Sequence, residues 1–237
     1  MRALGNVLIT GGASGLGAAT VAAVREQGGT PLVLDRAAPV SGDGGGGGVG
    51  EVDYELADLA DTPAAENAVR ALAERAGGLD AVFTAAGTDA CGPLDKVPAK
   101  EWEQVVQVNL LGTAAVVRAA LPYVERSGGT IVTCASTLGV RSVGDATAYC
   151  ASKAGVVGFT RALAAETAGR IGVTMLVPGG MDTAFFDGRD EQYKPPPGAK
   201  LNRPEDVAQS VVHALRQPRG CEVREMVVCH SEEGSWP

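Results

Sequence analysis

The chain has 237 residues, 45% of them hydrophobic and 20% charged, which supports one sizeable core over residues 1–237 and excludes a disordered chain or a fibre. Its 20 Lys and Arg against 28 Asp and Glu give a net charge of −8. Nucleic acid and membrane, whose phosphates attract basic surfaces, are therefore not expected as partners.

The N-terminal region predicts a strand, a turn, a helix and a second strand. A β-branched run at residues 7–9 precedes a glycine cluster and a helical stretch from Leu16 to Gln27. The apolar segment from Pro31 to Asp35 then forms a second buried strand. A unit of about thirty residues in this order is typical of two parallel strands joined by a crossover helix.

The same alternation continues to the end of the chain. The further predicted elements are a strand near 51–57, a helix at 62–76, a strand at 81–84, a helix at 100–126, a strand at 130–134, a helix at 147–168, a strand at 173–177, a helix at 204–216 and a strand at 225–229. Strands separated by long helices predict an α/β Rossmann fold, a doubly wound parallel sheet of about seven strands with helices on both faces.

Two segments depart from this alternation. Residues 41–50 are almost pure glycine, which predicts a surface loop of no further function. Residues 182–200 contain Phe185, Phe186 and Tyr193 ahead of three prolines. Apolar anchors in a loop with a stiff end predict a lid over a substrate pocket, with an irregular crossover as the alternative.

A glycine-rich turn follows the first strand and opens the first helix. Its residues are Gly11, Ser14, Gly15, Leu16 and Gly17. In this context glycines let the backbone approach a pyrophosphate at a helix N-terminus, whereas the alternative is an ordinary glycine turn.

The second strand ends at Asp35, about 20 residues after the turn, where a carboxylate accepts hydrogen bonds from an adenosine ribose. A 2′-phosphate there would meet like charge, which favours NAD over NADP. Arg36 keeps NADP open, because a guanidinium can bind a phosphate.

Tyr149 and Lys153 lie four residues apart on one face of a predicted helix. A tyrosine with a pKa of about 10 is a poor base at neutral pH, and lowering that pKa by about three units needs roughly 4 kcal/mol. The cation one turn away and a positively charged nicotinamide ring would both contribute. Ser136, at the end of the fifth strand, is placed to donate to a substrate oxygen.

These motifs, in this order and over nearly the whole chain, resemble the short-chain dehydrogenase/reductase family, in its shorter single-domain branch. The resemblance extends to further expected cofactor contacts, namely Asp58, Leu59, Ala85, Ala86, Gly87, Pro178, Gly179, Met181 and Thr183. Tyr149 and Lys153 are also expected to contact the cofactor. Ser14 stands where members that prefer NADP often have a basic residue, which again favours NAD.

The resemblance implies hydride transfer between a nicotinamide and a carbinol or carbonyl carbon. Tyr149 would exchange the proton, and Ser136 would polarise the substrate oxygen. Lys153 would hold the nicotinamide ribose and lower the pKa of Tyr149, while Asn109 would support a water that links Lys153 to solvent. The alanine-rich stretches at 113–120 and 162–168 correspond to helices at subunit interfaces in the family, so a homotetramer or homodimer is expected.

Three departures from the family pattern stand out. Thr84 replaces the usual asparagine, which puts one sheet-stabilising contact in doubt. The turn before Thr183 has the unusual sequence Gly180-Met181-Asp182, and the C-terminus lacks the family's common Asp-Gly-Gly ending. Trp236 is expected either to anchor the C-terminal tail over the pocket or on a neighbouring subunit, or to lie in a disordered tail.

The cysteines and histidines predict no special chemistry. The five cysteines are odd in number and include no C-x-x-C pair, so neither disulfides nor a zinc ribbon is indicated and a cytoplasmic location fits best. His213 and His230 lack a second ligand at metal-binding spacing, so no metal is expected.

The favoured function is NAD-dependent interconversion of a small or medium secondary alcohol and a ketone. The alternative of another class is a dinucleotide-binding sensor or scaffold without turnover, and a sugar epimerase is disfavoured because no room remains for a C-terminal substrate domain. The pocket is expected from residues 88–97, 138–146 and 182–200, where Arg141 could receive an anionic group. A 3-hydroxyacyl-CoA and a hydroxysteroid are weak substrate candidates.

Overall fold

The alternating elements form a seven-stranded, wholly parallel sheet in a computed structural model that describes residues 1–39 and 51–236. In chain order they are β1 (Asn6–Thr10), α1 (Gly15–Glu26), β2 (Thr30–Asp35), β3 (Asp53–Leu56), α2 (Thr62–Arg75), β4 (Ala81–Thr84), α3 (Ala99–Val106), a π-helical segment (Gln107–Gly112), α4 (Thr113–Ser127), β5 (Thr130–Cys134), α5 (Thr147–Glu166), β6 (Gly172–Pro178), α6 (Pro204–Leu215) and β7 (Glu225–Val228). The predicted glycine-rich loop at 41–50 lies outside the described residues.

The strand order is β3-β2-β1-β4-β5-β6-β7, which confirms the predicted α/β Rossmann fold. The order reverses between β1 and β4, so the connections leave these two strands in opposite directions across the sheet. Such a reversal opens a crevice at the carboxyl ends of the strands, where doubly wound folds bind ligands.

Helices cover both faces of the sheet. On one face α1 packs against α6 through buried side chains that include Val21 and Val211. On the other face α2 packs against α4 through Leu72 and Val116. Because both faces are covered, the central strands β1, β4, β5 and β6 are buried along nearly their whole length, as is usual for parallel sheets.

The predicted helix at 100–126 is one continuous helix, Ala99–Ser127, but it is not uniformly α-helical. Residues 107–112 form a π-helical segment at the point where Gly112 meets Leu59, and a Cβ at Gly112 would lie 2.7 Å from the Leu59 side chain. Among the described residues this helix is long and apolar enough, by length and composition alone, to cross a membrane, but half of its most apolar window is buried within the protein.

Candidate active site

The glycine turn brings the start of α1 against the end of β4. Gly11 and Gly15 have φ angles of +70° and +50°, which glycine adopts without strain. A Cβ at Gly17 would lie 2.0 Å from the Gly11 carbonyl oxygen. Ser14 precedes α1 without a side-chain capping bond, so no capping side chain takes the amides of the first turn. This arrangement fits a pyrophosphate.

Asp35 lies beside this turn at the end of β2. Its carboxylate accepts hydrogen bonds from the backbone N–H of Ala13, at 2.9 Å, and of Ala37, at 3.1 Å. Arg36 is exposed. The negative charge of Asp35 is thus fixed next to the turn, as expected for a residue that binds a ribose.

Asp58 and Leu59 follow β3 on the same side of the crevice. The Asp58 carboxylate is exposed and accepts a hydrogen bond from the Ala60 N–H at 2.9 Å, whereas Leu59 is buried. Asp58 therefore offers the polar side chain of the pair, whereas the Leu59 side chain packs in the core.

The segment 84–87 runs from β4 between the glycine turn and the helix that contains Asn109. The Ala86 N–H donates to Thr10 Oγ1 at 3.2 Å. A Cβ at Gly87 would lie 3.4 Å from Asn109 Oδ1 and 3.6 Å from Lys153 Nζ. Among the described residues the buried Thr84 Oγ1 has no hydrogen-bond partner, so threonine does not replace the contact of the usual asparagine.

Asn109 is fully buried in the π-helical segment and connects three parts of the site. Its amide accepts from the Thr88 N–H at 2.8 Å and donates to the Thr88 carbonyl at 2.9 Å. It also donates to Ser152 Oγ at 3.0 Å, and Ser152 in turn donates to the Tyr149 carbonyl at 2.8 Å. Asn109 therefore ties the loop after β4 to the helix that presents Tyr149.

Ser136, Tyr149 and Lys153 converge at the carboxyl end of β5. Lys153 is buried, and its Nζ donates to the Cys134 carbonyl at 2.8 Å and lies 5.7 Å from the centre of the Tyr149 ring. The Ser136 hydroxyl accepts from the Leu138 N–H at 3.1 Å and is close enough to the Tyr149 hydroxyl to influence its pKa. The structure thus brings the three predicted side chains together.

The surrounding protein shifts the pKa values of Tyr149 and Lys153 in opposite directions. Burial raises the pKa of Tyr149, and the opposing effect of the nearby Ser136 hydroxyl is smaller. Burial lowers the pKa of Lys153. Lys153 was expected to lower the pKa of Tyr149. The side chains of the protein alone do not achieve this, because the desolvation of the phenolate outweighs every favourable contact.

The predicted nicotinamide turn follows β6, which ends at Pro178. The Gly179 N–H donates to the Val228 carbonyl at 3.0 Å, which ties the turn to β7. Met181 pairs with Asn202 in a short parallel bridge. Thr183 faces the glycine turn, since a Cβ at Gly15 would lie 3.5 Å from its methyl group.

The predicted lid at 182–200 lies over Tyr149. The Phe185 ring is 5.7 Å from the Tyr149 ring, centre to centre. The Arg189 guanidinium lies 4.8 Å and 4.7 Å from the Phe185 and Phe186 ring centres, and it forms a 2.9 Å ion pair with Asp89, whose side chain is only 7% exposed. This pair connects the lid to the loop after β4.

Sequence reasoning missed the roles of Asp89, Arg189 and Glu233. The Glu233 carboxylate accepts a hydrogen bond from the Gly180 N–H, and Ser235 Oγ and Thr137 Oγ1 are hydrogen-bonded at 3.2 Å. The C-terminal tail, residues 230–236, therefore lies over the end of the cleft rather than away from it. Within residues 1–39 and 51–236 no group of three or more His, Cys, Asp or Glu could hold a metal ion.

Comparisons with known proteins identify the family of this chain. A family model described as short chain dehydrogenase matches residues 5–194. The 3-oxoacyl-[acyl-carrier-protein] reductase of Thermotoga maritima is 31% identical over 227 residues, which cover 90% of this chain and 91% of that protein.

Two solved structures share the fold. An alcohol dehydrogenase from Thermococcus sibiricus, complexed with 5-hydroxy-NADP, has a TM-score of 0.83 at 22% identity and covers 96% of this chain and 97% of its own. A short chain dehydrogenase from Burkholderia cenocepacia, in complex with NADP, has a TM-score of 0.78 at 27% identity, with coverage of 94% and 95%. The chain belongs to the short-chain dehydrogenase family of oxidoreductases.

Proposed function

We propose that this protein is an NAD-dependent dehydrogenase/reductase that interconverts a secondary alcohol and a ketone, with Tyr149 as general acid and base. The supporting observation is the convergence of Ser136, Tyr149 and Lys153 at the carboxyl end of β5, beside the glycine turn. The alternative of a binding protein without turnover is disfavoured, because every side chain needed for proton transfer is present.

Each side chain has a separate task in this reaction. A bound nicotinamide dinucleotide would supply or accept the hydride. In the reductive direction Tyr149, whose raised pKa keeps its proton at neutral pH, donates that proton to the carbonyl oxygen, and it takes the proton back in the oxidative direction. Ser136 holds the same oxygen, and Lys153 keeps two N–H donors beyond its bond to Cys134 for the nicotinamide ribose.

The contacts of Asp35 support NAD rather than NADP. Its carboxylate is held by two backbone N–H groups beside the glycine turn, so a 2′-phosphate would meet a fixed negative charge. The dinucleotides in the two solved structures named above are NADP and an NADP derivative. If this chain bound NADP, Arg36 would be the group that contacts its 2′-phosphate.

The substrate is a small or medium secondary alcohol or the corresponding ketone. The aromatic lid over Tyr149 supports an apolar substrate body, and the relative from Thermotoga maritima adds a 3-oxoacyl thioester to the compounds to test. We propose a cytoplasmic homotetramer or homodimer. The exposure of Leu111, at 44%, supports an interface on the helix Ala99–Ser127, and light scattering tests it by mass.

The test is a panel of alcohols, ketones, hydroxyacyl and oxoacyl thioesters, sugars and steroids, assayed with NAD(H) and NADP(H) by nicotinamide absorbance. Tyr149→Phe should keep dinucleotide binding while turnover falls by about 10²–10⁴-fold, because the general acid and base is lost. The matched control is Tyr54→Phe, which removes a hydroxyl from an exposed tyrosine. Full activity of Tyr149→Phe would contradict the mechanism. A higher kcat/KM with NADP than with NAD would contradict the proposed preference for NAD.

A further inference from the structure

The tail returns from β7 across the carboxyl ends of β5 and β6. The Glu233 N–H donates to the His230 carbonyl at 2.9 Å and closes a turn at its start. Both Glu233 carboxylate oxygens then lie within hydrogen-bond distance of the Gly180 N–H, at 3.0 Å and 3.2 Å. An acidic side chain from the tail thus binds the backbone of the turn that follows β6.

The carboxylate fits closely against this turn. A Cβ at Gly179 would lie 2.1 Å from Glu233 Oε2, so no other residue could occupy position 179 without displacing the carboxylate. On its other side, a Cβ at Gly180 would lie 2.8 Å from the Leu201 side chain. Gly179 is therefore the residue that makes room for Glu233, whereas Gly180 makes room for Leu201.

These bonds determine where the next peptide points. The Gly180 carbonyl accepts from the Asn202 N–H at 3.0 Å, and the Asp182 N–H donates to the Asn202 carbonyl at 2.9 Å. In a parallel bridge of this kind, the N–H and C=O of the central residue point away from the partner strand. Met181 is that residue, so its backbone amide is directed away from Asn202 while Glu233 holds the residue before it.

A second bond ties the tail to the catalytic side of the cleft. Ser235 Oγ donates its proton to the Glu233 carboxylate and lies within hydrogen-bond distance of Thr137 Oγ1, at 3.2 Å. Thr137 is buried and directly follows Ser136. The tail therefore connects the end of β5, where the substrate oxygen would bind, with the turn after β6.

We propose that Glu233 is a positioning residue for the nicotinamide end of the cofactor. It fixes the Gly180 peptide, and through it the Met181 amide, without contributing to the part of the cleft around Asp35 that would bind the adenosine end. This inference rests on the proposed function, since it requires a nicotinamide dinucleotide in the cleft.

The experiment compares NADH with ADP-ribose, which lacks the nicotinamide, by isothermal titration calorimetry of the full-length protein. Glu233→Ala should raise the Kd for NADH by about tenfold, the typical loss when a hydrogen bond to a charged group is removed, and leave the Kd for ADP-ribose unchanged. Glu233→Gln keeps an acceptor oxygen and should restore most of the NADH affinity. Glu232→Ala, at the exposed neighbouring position, is the matched control and should bind both ligands as the wild type does.

The outcomes separate the inference from the proposed function. If wild-type protein binds both ligands and Glu233→Ala weakens neither, or weakens both equally, Glu233 does not position the nicotinamide end and the inference is wrong. If wild-type protein binds neither NADH nor NADPH, the proposed function fails and the inference fails with it. Should Glu233→Ala not fold, Glu233→Asp, which withdraws the carboxylate by one methylene, must show the same loss of NADH alone.

Discussion

The floor and the cover of the cleft are held in different ways. The catalytic floor, which we define as Asn109, Ser136, Tyr149 and Lys153, belongs to a strand end and two helices and is joined by short bonds between buried groups. The cover, which comprises the lid and the tail, is irregular and is held by an ion pair and a few side-chain bonds. The floor therefore contains the groups of the proposed chemistry, and we expect the cover to tolerate changes without loss of the fold.

The largest effect is expected from the floor, at Lys153. Lys153→Met removes the only buried cation of the catalytic floor and should lower turnover by about 10³-fold, because the nicotinamide would lose its fixed position relative to Tyr149 and the substrate. It should also raise the Kd for NADH, because the ribose contact is lost. Steady-state kinetics and calorimetry measure the two effects.

Lys100→Met is the control for Lys153→Met, because Lys100 is exposed near the start of the same long helix that contains Asn109. Lys153→Arg should not restore activity, since a planar guanidinium cannot replace an ammonium group in a buried site of this size. Wild-type turnover in Lys153→Met would remove Lys153 from the mechanism.

The second prediction concerns the edge of the cover, at Cys91. Burial, followed by the charge of Asp89, raises the pKa of this thiol to about 11. The thiolate is the reactive form, so at pH 8 Cys91 should react with iodoacetamide about a hundredfold more slowly than an ordinary cysteine. The exposed Cys221 is the internal reference, and mass spectrometry of the two peptides over time gives both rates.

The pH dependence of Cys91 alkylation follows from the upward shift of its pKa. A raised pKa keeps the thiol protonated, so alkylation should accelerate only as the pH rises toward 11. Equal rates for Cys91 and Cys221 at pH 8 would show that the loop after β4 is open to solvent, and that Asp89 does not face this thiol.

The same difference explains what the sequence could predict. Tyr149 and Lys153 were predicted to share a helix face because a one-turn spacing is a local property, and Ser136 because it ends an apolar strand. The bonds of the cover join residues far apart in the chain: Arg189 and Asp89 are 100 positions apart, and Ser235 and Thr137 are 98. No local pattern marks such pairs.

Two features of the floor also escaped prediction. The apolar pattern of the helix Ala99–Ser127 continues through residues 107–112, so nothing in its periodicity indicates the π-helical segment that accommodates Asn109. The direction of the Tyr149 pKa shift depends on how much water the fold removes from the hydroxyl. Burial of this kind results from the whole assembly and not from the Tyr149–Lys153 spacing.

The smallest effect is expected at Asp89, the residue of the loop after β4 that binds the lid through Arg189. Asp89→Asn removes the charge that pairs with Arg189 and should loosen the lid, which raises KM for the substrate by about tenfold, the usual scale for a charged hydrogen bond, and leaves kcat within about twofold. The control is Asp95→Asn, whose ion pair with Lys96 is largely exposed and contributes little. A fall in kcat with unchanged KM would instead place Asp89 in the catalytic floor, and the separation between a chemical floor and an adaptable cover would be wrong.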